Sequence, residues 1–379
     1  MEFEEFGSLL SQICMHTPLA SGRPLLWTTI ANPKAGGFTI KSKWKKHYTM
    51  LNDCVLKAEK NPAREGGPSQ TALKEGGSSG SFGLIPTKAA GHAGELTTIL
   101  VEEAAAASAT ANGADPSGRN KPFYLIITAG GDGTSLEVMT SLFHAPAQVR
   151  EDFAVLRLPM GTGNDGSDAW ELDKALALII EPSVQAWQRA LRLKTASGKG
   201  PFLAFNILSV GLDAFVTHMT NKMKGKLPGD SYKLWVDIAS LLYDRIYRVG
   251  NMDVRVINEE GKDITKFREK ILLLAVGESG RRTYGSHKWI LPDERNVCAL
   301  RQMPVFRKVA LKGLFNTGGH IDKPEAMLWN AQAVEFSSQY PILAQMDGET
   351  VLLDDKDFPA VIELTEKVIP VLKPLKLIR

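Results

Sequence analysis

Gly-Gly-Asp-Gly-Thr, at residues 130–134, directly follows the apolar run Phe-Tyr-Leu-Ile-Ile-Thr at 123–128 and precedes a helix-like segment, 135–143. Glycines let backbone N–H groups approach a polyphosphate, and a helix start adds further N–H donors and a positive dipole end. Asp132 stands where a carboxylate is able to hold a phosphate-bridging Mg²⁺ or accept a proton from an attacking hydroxyl. This stretch therefore predicts phosphoryl transfer from a nucleotide.

Two further glycine-rich turns follow predicted strands. The strand 25–31 ends at Asn-Pro-Lys-Ala-Gly-Gly, residues 32–37, and the strand 153–158 ends at Pro-Met-Gly-Thr-Gly-Asn-Asp, residues 159–165. Helix-like segments lie between these strands, and such alternation predicts a largely parallel sheet with helices on its faces. Open α/β sheets bind ligands at the carboxyl ends of their strands, where all three turns are expected.

Composition indicates a globular protein of about two domains, with 379 residues, 44% hydrophobic and 23% charged. The net charge is only +3, but lysines cluster at 41–46 and 222–226. These clusters are either solvated faces or contacts with an anionic phosphate or membrane surface. Basic and aromatic residues do not alternate as in nucleic-acid-binding proteins, so no nucleic-acid partner is expected.

The remaining sequence features favour a cytoplasmic protein that associates peripherally with membranes. The three cysteines, Cys14, Cys54 and Cys298, are far apart and show neither a disulfide framework nor a zinc-binding pattern. The N-terminus lacks the basic region of a signal peptide. No uncharged apolar stretch reaches the roughly 18 residues that a membrane-spanning helix needs.

The pattern of predicted secondary structure changes after residue 182 and divides the chain into domains. Residues 1–22 are predicted as an N-terminal arm and 23–182 as an α/β nucleotide-binding domain with a flexible insertion at about 61–82. After residue 182, short β-like runs predict a β-rich acceptor domain, 183–379, interrupted by one helix at about 231–247. Whether the C-terminal segment packs back on the first domain is left open.

The three turns together resemble the diacylglycerol kinase catalytic-domain family, which includes bacterial lipid kinases and sphingosine and ceramide kinases. Three more segments, 87–93, 206–214 and 345–349, are similar to that family and stand in the family's order. The resemblance covers roughly residues 25–370. It implies an α/β nucleotide-binding domain like those of NAD kinases and phosphofructokinases, followed by an all-β sandwich-type domain that carries the acceptor site.

The resemblance also implies ATP and Mg²⁺ and assigns residues to them. The residues expected at the nucleotide phosphates are Asn32, Lys34, Gly130, Gly131, Gly133, Thr134, Gly161, Thr162 and Asn164. The expected catalytic carboxylates are Asp347, Glu349 and Asp132, and Asp132 is also the expected metal ligand. Asp347 and Glu349 would share a face if their segment is extended. Whether Asp132 or Asp347 is the general base is left open.

One segment departs from the family pattern. Arg295-Asn296 stands where many members have an acidic pair, so a secondary structural metal site is doubtful and the acceptor wall is expected to differ.

The sequence predicts an ATP- and Mg²⁺-dependent lipid kinase that phosphorylates a hydroxyl of diacylglycerol or a related lipid at a membrane surface. A sphingoid-base, ceramide or NAD kinase is the alternative within this class. A catalytically silent lipid- or nucleotide-binding module is the alternative outside it. The acceptor lipid and a homodimer are left open.

Overall fold

The structure is a computed structural model. It describes residues 2–19, 23–60, 82–111, 121–161, 163–223, 241, 243–285 and 287–375. The chain forms two compact units, a first unit of residues 1–188 and 367–379 and a second unit of residues 189–366. The units are described separately below.

The first unit begins with these elements: α1 (Glu2–Met15), β1 (Leu25–Ala31), α2 (Gly36–Thr39), α3 (Lys41–Ala58), β2 (Phe82–Pro86), α4 (His92–Ala111), β3 (Phe123–Gly130), α5 (Asp132–His144), α6 (Ala147–Arg150), β4 (Phe153–Pro159), α7 (Leu172–Ile180) and β5 (Ser183–Gln188). The second unit contains β6 (Leu191–Lys194), β7 (Phe202–Ala204), β8 (Ile207–Gly211), α8 (Leu212–Met223), α9 (Tyr243–Ile246), β9 (Asn251–Ile257), β10 (Asp263–Gly277), β11 (Arg282–Tyr284), β12 (Lys288–Leu291), β13 (Val297–Arg301), α10 (Val305–Lys312), β14 (Ala326–Trp329), β15 (Ala333–Ser338), β16 (Ile342–Met346), β17 (Glu349–Leu353) and β18 (Ala360–Leu364). The last strand, β19 (Ile369–Pro374), returns to the first unit.

A six-stranded sheet in the order β2-β1-β3-β4-β19-β5 forms the centre of the first unit. The four strands β2, β1, β3 and β4 pair in parallel, and β5 pairs antiparallel with β19. Strands β3 and β4 are buried along their whole length because helices cover both faces of the sheet. The α/β class predicted from the continuous apolar runs is confirmed.

The N-terminal segment differs from the predicted arm. Helix α1 buries Phe6, Leu10 and Ile13 completely, and these side chains belong to the hydrophobic core that includes Trp27 and Leu51. Their spacing of three to four residues places them on one helical face. Residues 2–15 are therefore part of the first unit's core.

An eleven-stranded antiparallel sheet dominates the second unit, and it is curled. The long strand β10 shows how the sheet is built. Its first half alternates between exposed and half-buried side chains, whereas its second half, 271–277, is buried on both faces. Ile271 and Leu274 belong to one hydrophobic cluster, and Leu272 and Leu273 belong to another on the opposite face. The predicted β-rich class of this region is confirmed.

Several predicted boundaries change. Helix α7 begins only at Leu172, because residues 163–171 form turns and bends after the glycine-rich segment. The structure separates the units after Gln188 rather than after residue 182, because β5 pairs with β19 in the first unit. Residues 61–81 of the predicted insertion and most of the predicted helix 231–247 lie outside the described residues.

No described helix is both long enough and apolar enough to cross a membrane.

The packing of α1 generates a stability prediction. Phe6→Ala should lower the free energy of unfolding by about 3 kcal/mol or more, because a fully buried aromatic ring is replaced by a cavity. The matched control is Leu56→Ala on α3, whose side chain is 61% exposed; it should change stability by less than about 0.5 kcal/mol. Urea denaturation followed by tryptophan fluorescence measures both. Equal midpoints for Phe6→Ala and the wild type would show that α1 does not contribute to the core.

Candidate functional site

Three glycine-rich turns meet at one edge of the first unit's sheet. The strands that precede them are neighbours, with Ala31 opposite Ala129 and Gly130 opposite Pro159. Strand β2 lies on one side of β1 and β3 on the other, so the chain changes direction across the sheet at β1. A crevice at such a switch point is where open α/β sheets bind ligands.

Close backbone contact explains the glycines. A Cβ atom on Gly161 would lie 2.6 Å from the Gly131 Cα, and a Cβ atom on Gly130 would lie 2.4 Å from the Thr134 Oγ1. By contrast, a Cβ atom on Gly131 would have room. Apart from the two adjacent residues in the chain, its nearest neighbour would be the Gly161 Cα at 4.0 Å. The turns after β3 and β4 therefore touch through their main chains, and Gly161 is required for that contact, whereas Gly130 leaves room for the Thr134 side chain.

Two asparagines shape the turns through main-chain hydrogen bonds. Asn164 adopts a positive φ of 60°, and its Oδ1 accepts from the Gly161 N–H at 2.6 Å while its Nδ2 donates to the Pro159 carbonyl at 3.1 Å. Asn32 Oδ1 accepts from the Lys34 N–H at 3.0 Å. Lys34 itself is exposed. Of the sequence-predicted phosphate residues, Thr162 lies outside the described part of the chain.

Asp132 is the first residue of α5, and its carboxylate faces the turn after β4. Its Oδ1 accepts from the Gly166 N–H at 3.1 Å. A Cβ atom on Gly163 would lie 3.3 Å from Asp132 Oδ2 and 3.4 Å from Asp165 Oδ2, so both carboxylates border the same glycine. Mg²⁺ prefers oxygen ligands and is commonly held by one or two carboxylates together with substrate phosphates. This donor set fits Mg²⁺, although the described residues contain no cluster of three or more metal-ligating side chains.

A buried ion pair closes the turn after β4. Asp168 accepts from the Arg157 guanidinium at 2.8 Å and from the Arg157 backbone N–H at 2.7 Å. Burial by itself would raise the pKa of Asp168, but the charges of Arg157 and Lys373 more than offset it and hold the pKa below its usual value. The pair joins the two ends of the glycine-rich turn.

Sequence reasoning missed Glu137 of α5. Its carboxylate accepts from the N–H groups of Gly91 and Ala93, at 2.7 and 3.0 Å, at the start of α4. His92 accepts a hydrogen bond from the Lys88 N–H through Nδ1. A carboxylate at a helix start compensates the free N–H groups there. A single glutamate on a helix carries no sequence signal for this contact.

In the second unit, Asp347 occupies a tight turn between β16 and β17. Asp347 and Gly348 have φ values of 45° and 104°, as a two-residue hairpin with Asp-Gly requires. The Asp347 carboxylate accepts hydrogen bonds from three consecutive backbone N–H groups, those of Phe205, Asn206 and Ile207. Two of these N–H groups, those of Phe205 and Asn206, belong to the segment that separates β7 from β8.

The expected pairing of Asp347 with Glu349 depends on an extended segment, and the segment is not extended. Asp347 is buried within the turn, whereas Glu349 begins β17 and is exposed. The two carboxylates therefore do not share a face. Positive φ at Asp347 is the physical reason, because it reverses the chain direction there.

A buried hydrogen-bonded chain links this turn to Asp213 of α8. Gln345 Oε1 accepts from the Gly348 N–H at 3.2 Å, and Gln345 Nε2 donates to Ser209 Oγ at 2.9 Å and to Asp213 Oδ2 at 3.4 Å. Ser209 also donates to Asp213 at 2.6 Å. Gln345 and Ser209 are completely buried. Asp213 and Gln345 belong to two segments that resemble the family, 206–214 and 345–349, but nothing in the sequence indicates that these two side chains meet.

Asp213 also lines a cavity of about 160 Å³. Most of the other lining residues are apolar, and three are lysines. They are Leu212, Val216, Leu241, Leu272, Leu273, Tyr284, Gly285, Lys288, Ile290, Leu300, Met303, Lys308, Leu311, Lys312 and Phe315. Lys308 is buried and pairs with Asp244 at 2.6 Å. The cavity is therefore a largely apolar pocket with a carboxylate and three cationic groups in its wall.

The departure at Arg295-Asn296 has a structural explanation. Arg295 pairs with Asp293, whose pKa is lowered chiefly by the hydrogen bond from this guanidinium. Asn296 exchanges two hydrogen bonds with the backbone of Ala331, each 2.9 Å long. Both side chains thus serve local structure.

Comparison with known proteins agrees with this geometry. The first unit combines an α/β fold with three glycine-rich turns at the carboxyl ends of its strands. Residues 27–196 match the family model described as the diacylglycerol kinase catalytic domain. The family that this model describes is the one that the motifs predicted.

Curated relatives match over a shorter stretch. Proteins named probable lipid kinase YegS-like from Yersinia pestis (strain Pestoides F) and Yersinia pseudotuberculosis (serotype O:1b, strain IP 31758) are 32% identical over 108 residues. The match covers 28% of this chain and 35% of each relative. The chain thus spans about a third of the length of these relatives.

Solved structures match over nearly the whole chain. One is described as a "putative diacylglycerol kinase from Bacillus anthracis str. Sterne", with a TM-score of 0.56 and 17% identity over 93% of this chain and 95% of that one. A second, described in the same words, has a TM-score of 0.53 and 16% identity over 94% and 98%. At this identity the similarity establishes the fold.

The buried pair at Asp168 generates a prediction on pH. Asp168→Asn should lower the free energy of unfolding by about 3 kcal/mol at neutral pH, because Arg157 keeps a buried charge without its counter-charge. The folded-state pKa of Asp168 is depressed, so its contribution is complete above the unfolded pKa of about 3.9 and is lost as the pH falls further. Urea denaturation of both proteins across this range should show their difference shrinking in acid. A difference that stays constant down to the acid limit would contradict the assignment.

Proposed function

We propose that the protein is an ATP- and Mg²⁺-dependent lipid kinase that phosphorylates a hydroxyl of diacylglycerol or a related lipid. The diacylglycerol kinase catalytic domain at 27–196 supports the reaction class. The observation that supports a lipid as the acceptor is the apolar cavity of the second unit. Asp213 lines this cavity and is connected through Gln345 to the turn that contains Asp347.

ATP is proposed to bind with its phosphates at the three glycine-rich turns. The close contact of Gly131 with Gly161 leaves no side chain between the main chains there, and the start of α5 adds N–H groups and a positive dipole end. Asp132 would hold Mg²⁺, with Asp165 beside it. The bound metal would neutralise charge on the transferred phosphoryl group. Asn32 and Asn164 would keep the turns in shape, and Lys34 would contact phosphate.

The acceptor lipid is proposed to place an acyl chain in the cavity and its polar head near Asp213. Ten of the sixteen lining residues are apolar, so most of the wall offers no hydrogen-bond partner to a sugar or a nucleoside and suits a hydrocarbon chain. Lys308 is paired with Asp244, and the two other lysines of the wall, Lys288 and Lys312, outnumber its one carboxylate, Asp213. This charge favours a neutral or anionic lipid over a sphingoid base, whose amine is cationic.

Three carboxylates remain the proposed catalytic residues: Asp347, Glu349 and Asp132. In the reaction, the acceptor oxygen forms a bond to the γ-phosphorus, the bond to ADP breaks, and a carboxylate takes the hydroxyl proton. Asp347 already accepts three backbone N–H bonds, and each would weaken if it took up a proton. Asp132 accepts from Gly166 and lies at the edge where the phosphates are proposed to bind.

The acceptor is proposed to be reached at the cytoplasmic surface of a membrane, without a nucleic-acid partner. Part of the predicted basic surface lies on α3, where Lys41, Lys43, Lys45 and Lys46 fall within the first six positions of the helix. The second lysine cluster is described only at Lys222. A homodimer remains compatible with this proposal.

The decisive experiment incubates the protein with labelled ATP, Mg²⁺ and mixed micelles of single lipids. Diacylglycerol should be phosphorylated faster than sphingosine, ceramide or NAD, and chelation of the metal should stop the reaction. Labelling of NAD alone would replace the proposal with the NAD kinase alternative. Binding of ATP without transfer to any acceptor would support a silent module.

Filling the cavity should remove lipid phosphorylation selectively. Val216→Trp places an indole in the space proposed for the acyl chain, so the rate with diacylglycerol should fall at least about tenfold. ATP affinity, measured by calorimetry, should not change, because Val216 belongs to the second unit's cavity wall. Ile264→Trp, at an exposed position of β10, is the control for an added indole. A normal lipid rate in a folded Val216→Trp protein would remove the cavity from the acceptor site.

Separate substitutions distinguish the roles of Asp347 and Asp132. Asp347→Asn should retain ATP binding and lose phosphoryl transfer at least about a hundredfold, the scale expected on loss of a general base. Asp132→Asn should also weaken Mg²⁺-dependent ATP binding. Nucleotide affinity, single-turnover rate and thermal unfolding are measured for both, because Asp347 also holds the amides of residues 205–207. A wild-type rate for Asp347→Asn would leave Asp132 as the candidate base.

A further inference from the structure

Helix α10 exposes apolar side chains and buries a lysine. Phe306 is 75% exposed, Val309 55% and Val305 36%, whereas Lys308 is almost completely buried. Surface helices normally bury their apolar stripe and expose their charges. At about 100° per residue these three residues fall within a sector of about 100°, so they lie on one face of the helix. We name Val305, Phe306 and Val309 the α10 patch.

The α10 patch adjoins the apolar cavity through its own helix. Lys308, Leu311 and Lys312 of α10 contribute to the cavity wall. Gly285 lines the same cavity and is exposed, so the cavity reaches the protein surface. One helix therefore presents apolar side chains to the outside and forms part of an open apolar cavity.

Charge around the patch favours an anionic partner. Helix α10 has the sequence Val-Phe-Arg-Lys-Val-Ala-Leu-Lys and contains no acidic residue. Lys312, on the last turn, lies close in helical angle to Val305 and Val309 and is half exposed. Lys288 adds a second half-exposed lysine to the cavity wall. Apolar residues flanked by lysines match the interface of an anionic bilayer, where acyl chains lie below phosphates.

We propose that α10 docks the protein on an anionic membrane surface. Phe306, Val309 and Val305 enter the boundary between headgroups and acyl chains, and Lys312 and Lys288 lie at the level of the lipid phosphates. The cavity then opens towards the bilayer, so an acceptor lipid enters it without crossing water. This inference rests on the proposed lipid kinase function for its partner, and it adds the surface through which the membrane is bound.

Vesicle binding by the full chain tests the docking surface. Partitioning onto vesicles of phosphatidylcholine and phosphatidylglycerol should fall at least about tenfold in the double variant Phe306→Ser, Val309→Ser, since interfacial binding scales with buried apolar area. The control is Ile264→Ser on β10, which removes a side chain that is 42% exposed outside the patch and the cavity; it should bind like the wild type. Binding by the wild type should weaken with added salt and on phosphatidylcholine alone. Equal binding by the double variant and the wild type overturns the proposal.

A fluorescent label places the patch in the membrane directly. Cys14, Cys54 and Cys298 are buried, so a cysteine introduced as Phe306→Cys is the accessible thiol for an environment-sensitive dye. Its emission should shift to the blue when vesicles are added, whereas a dye on Ile264→Cys should not respond. A blue shift that grows with protein concentration in the absence of vesicles would identify the patch as a contact between two copies of the chain and would overturn the proposal.

Neither measurement requires phosphoryl transfer. Loss of vesicle binding in the variants together with an inactive wild type would refute the kinase function and keep the docking surface. An active kinase whose variants still bind vesicles would refute the docking surface alone.

Discussion

The first unit depends on the contact between the main chains of Gly131 and Gly161. Parallel pairing brings the ends of β3 and β4 side by side, and a Cβ atom on Gly161 would lie 2.6 Å from its neighbour's Cα. The contact sets the separation of the two turns and therefore the position of Asp132 against the turn after β4. Asn164 and the buried pair of Arg157 and Asp168 hold that turn in place. Main-chain contact and side-chain hydrogen bonds together therefore position the turns at this end of the sheet.

In the second unit, a side-chain carboxylate rather than a main-chain contact holds the turn in place. There the carboxylate of Asp347 accepts hydrogen bonds from three backbone N–H groups where β7 ends and β8 begins. Gln345 extends this arrangement to Ser209 and Asp213. Since Gln345 is completely buried and its amide bonds at both ends, the position of Asp213 at the cavity is coupled to the turn of Asp347.

Burial of charge marks the places where the fold accepts an energetic cost. Lys308 is buried beside an apolar cavity and is compensated by Asp244, which also accepts from Gln302 at 2.7 Å. On the same helix, Phe306 remains exposed. This inverted distribution of polar and apolar residues on α10 is unfavourable in water alone. It becomes favourable where the outer face of the helix meets hydrocarbon.

The sequence alone determined the strands, the glycine-rich turns and the fold class. Continuous apolar runs such as 123–128 and 153–158 are local signals, and glycines directly after them indicate where each strand ends. The same motifs were sufficient to predict the family whose model matches residues 27–196. Helical spacing in α1 carried the signal for a core helix, but the segment was too short for its periodicity alone to distinguish a packed helix from an arm.

Only the tertiary structure decided which polar groups meet. Asp347 binds amides about 140 residues away in sequence, and Glu137 binds the start of α4 from 44 to 46 residues away. Strand and helix periodicities carry no information about such distant partners. The separation of Asp347 from Glu349 depended on a positive φ that the Asp-Gly pair permits but does not impose. The cavity and the exposed face of α10 exist only after packing, because a side chain's burial is set by the elements that the fold brings against it.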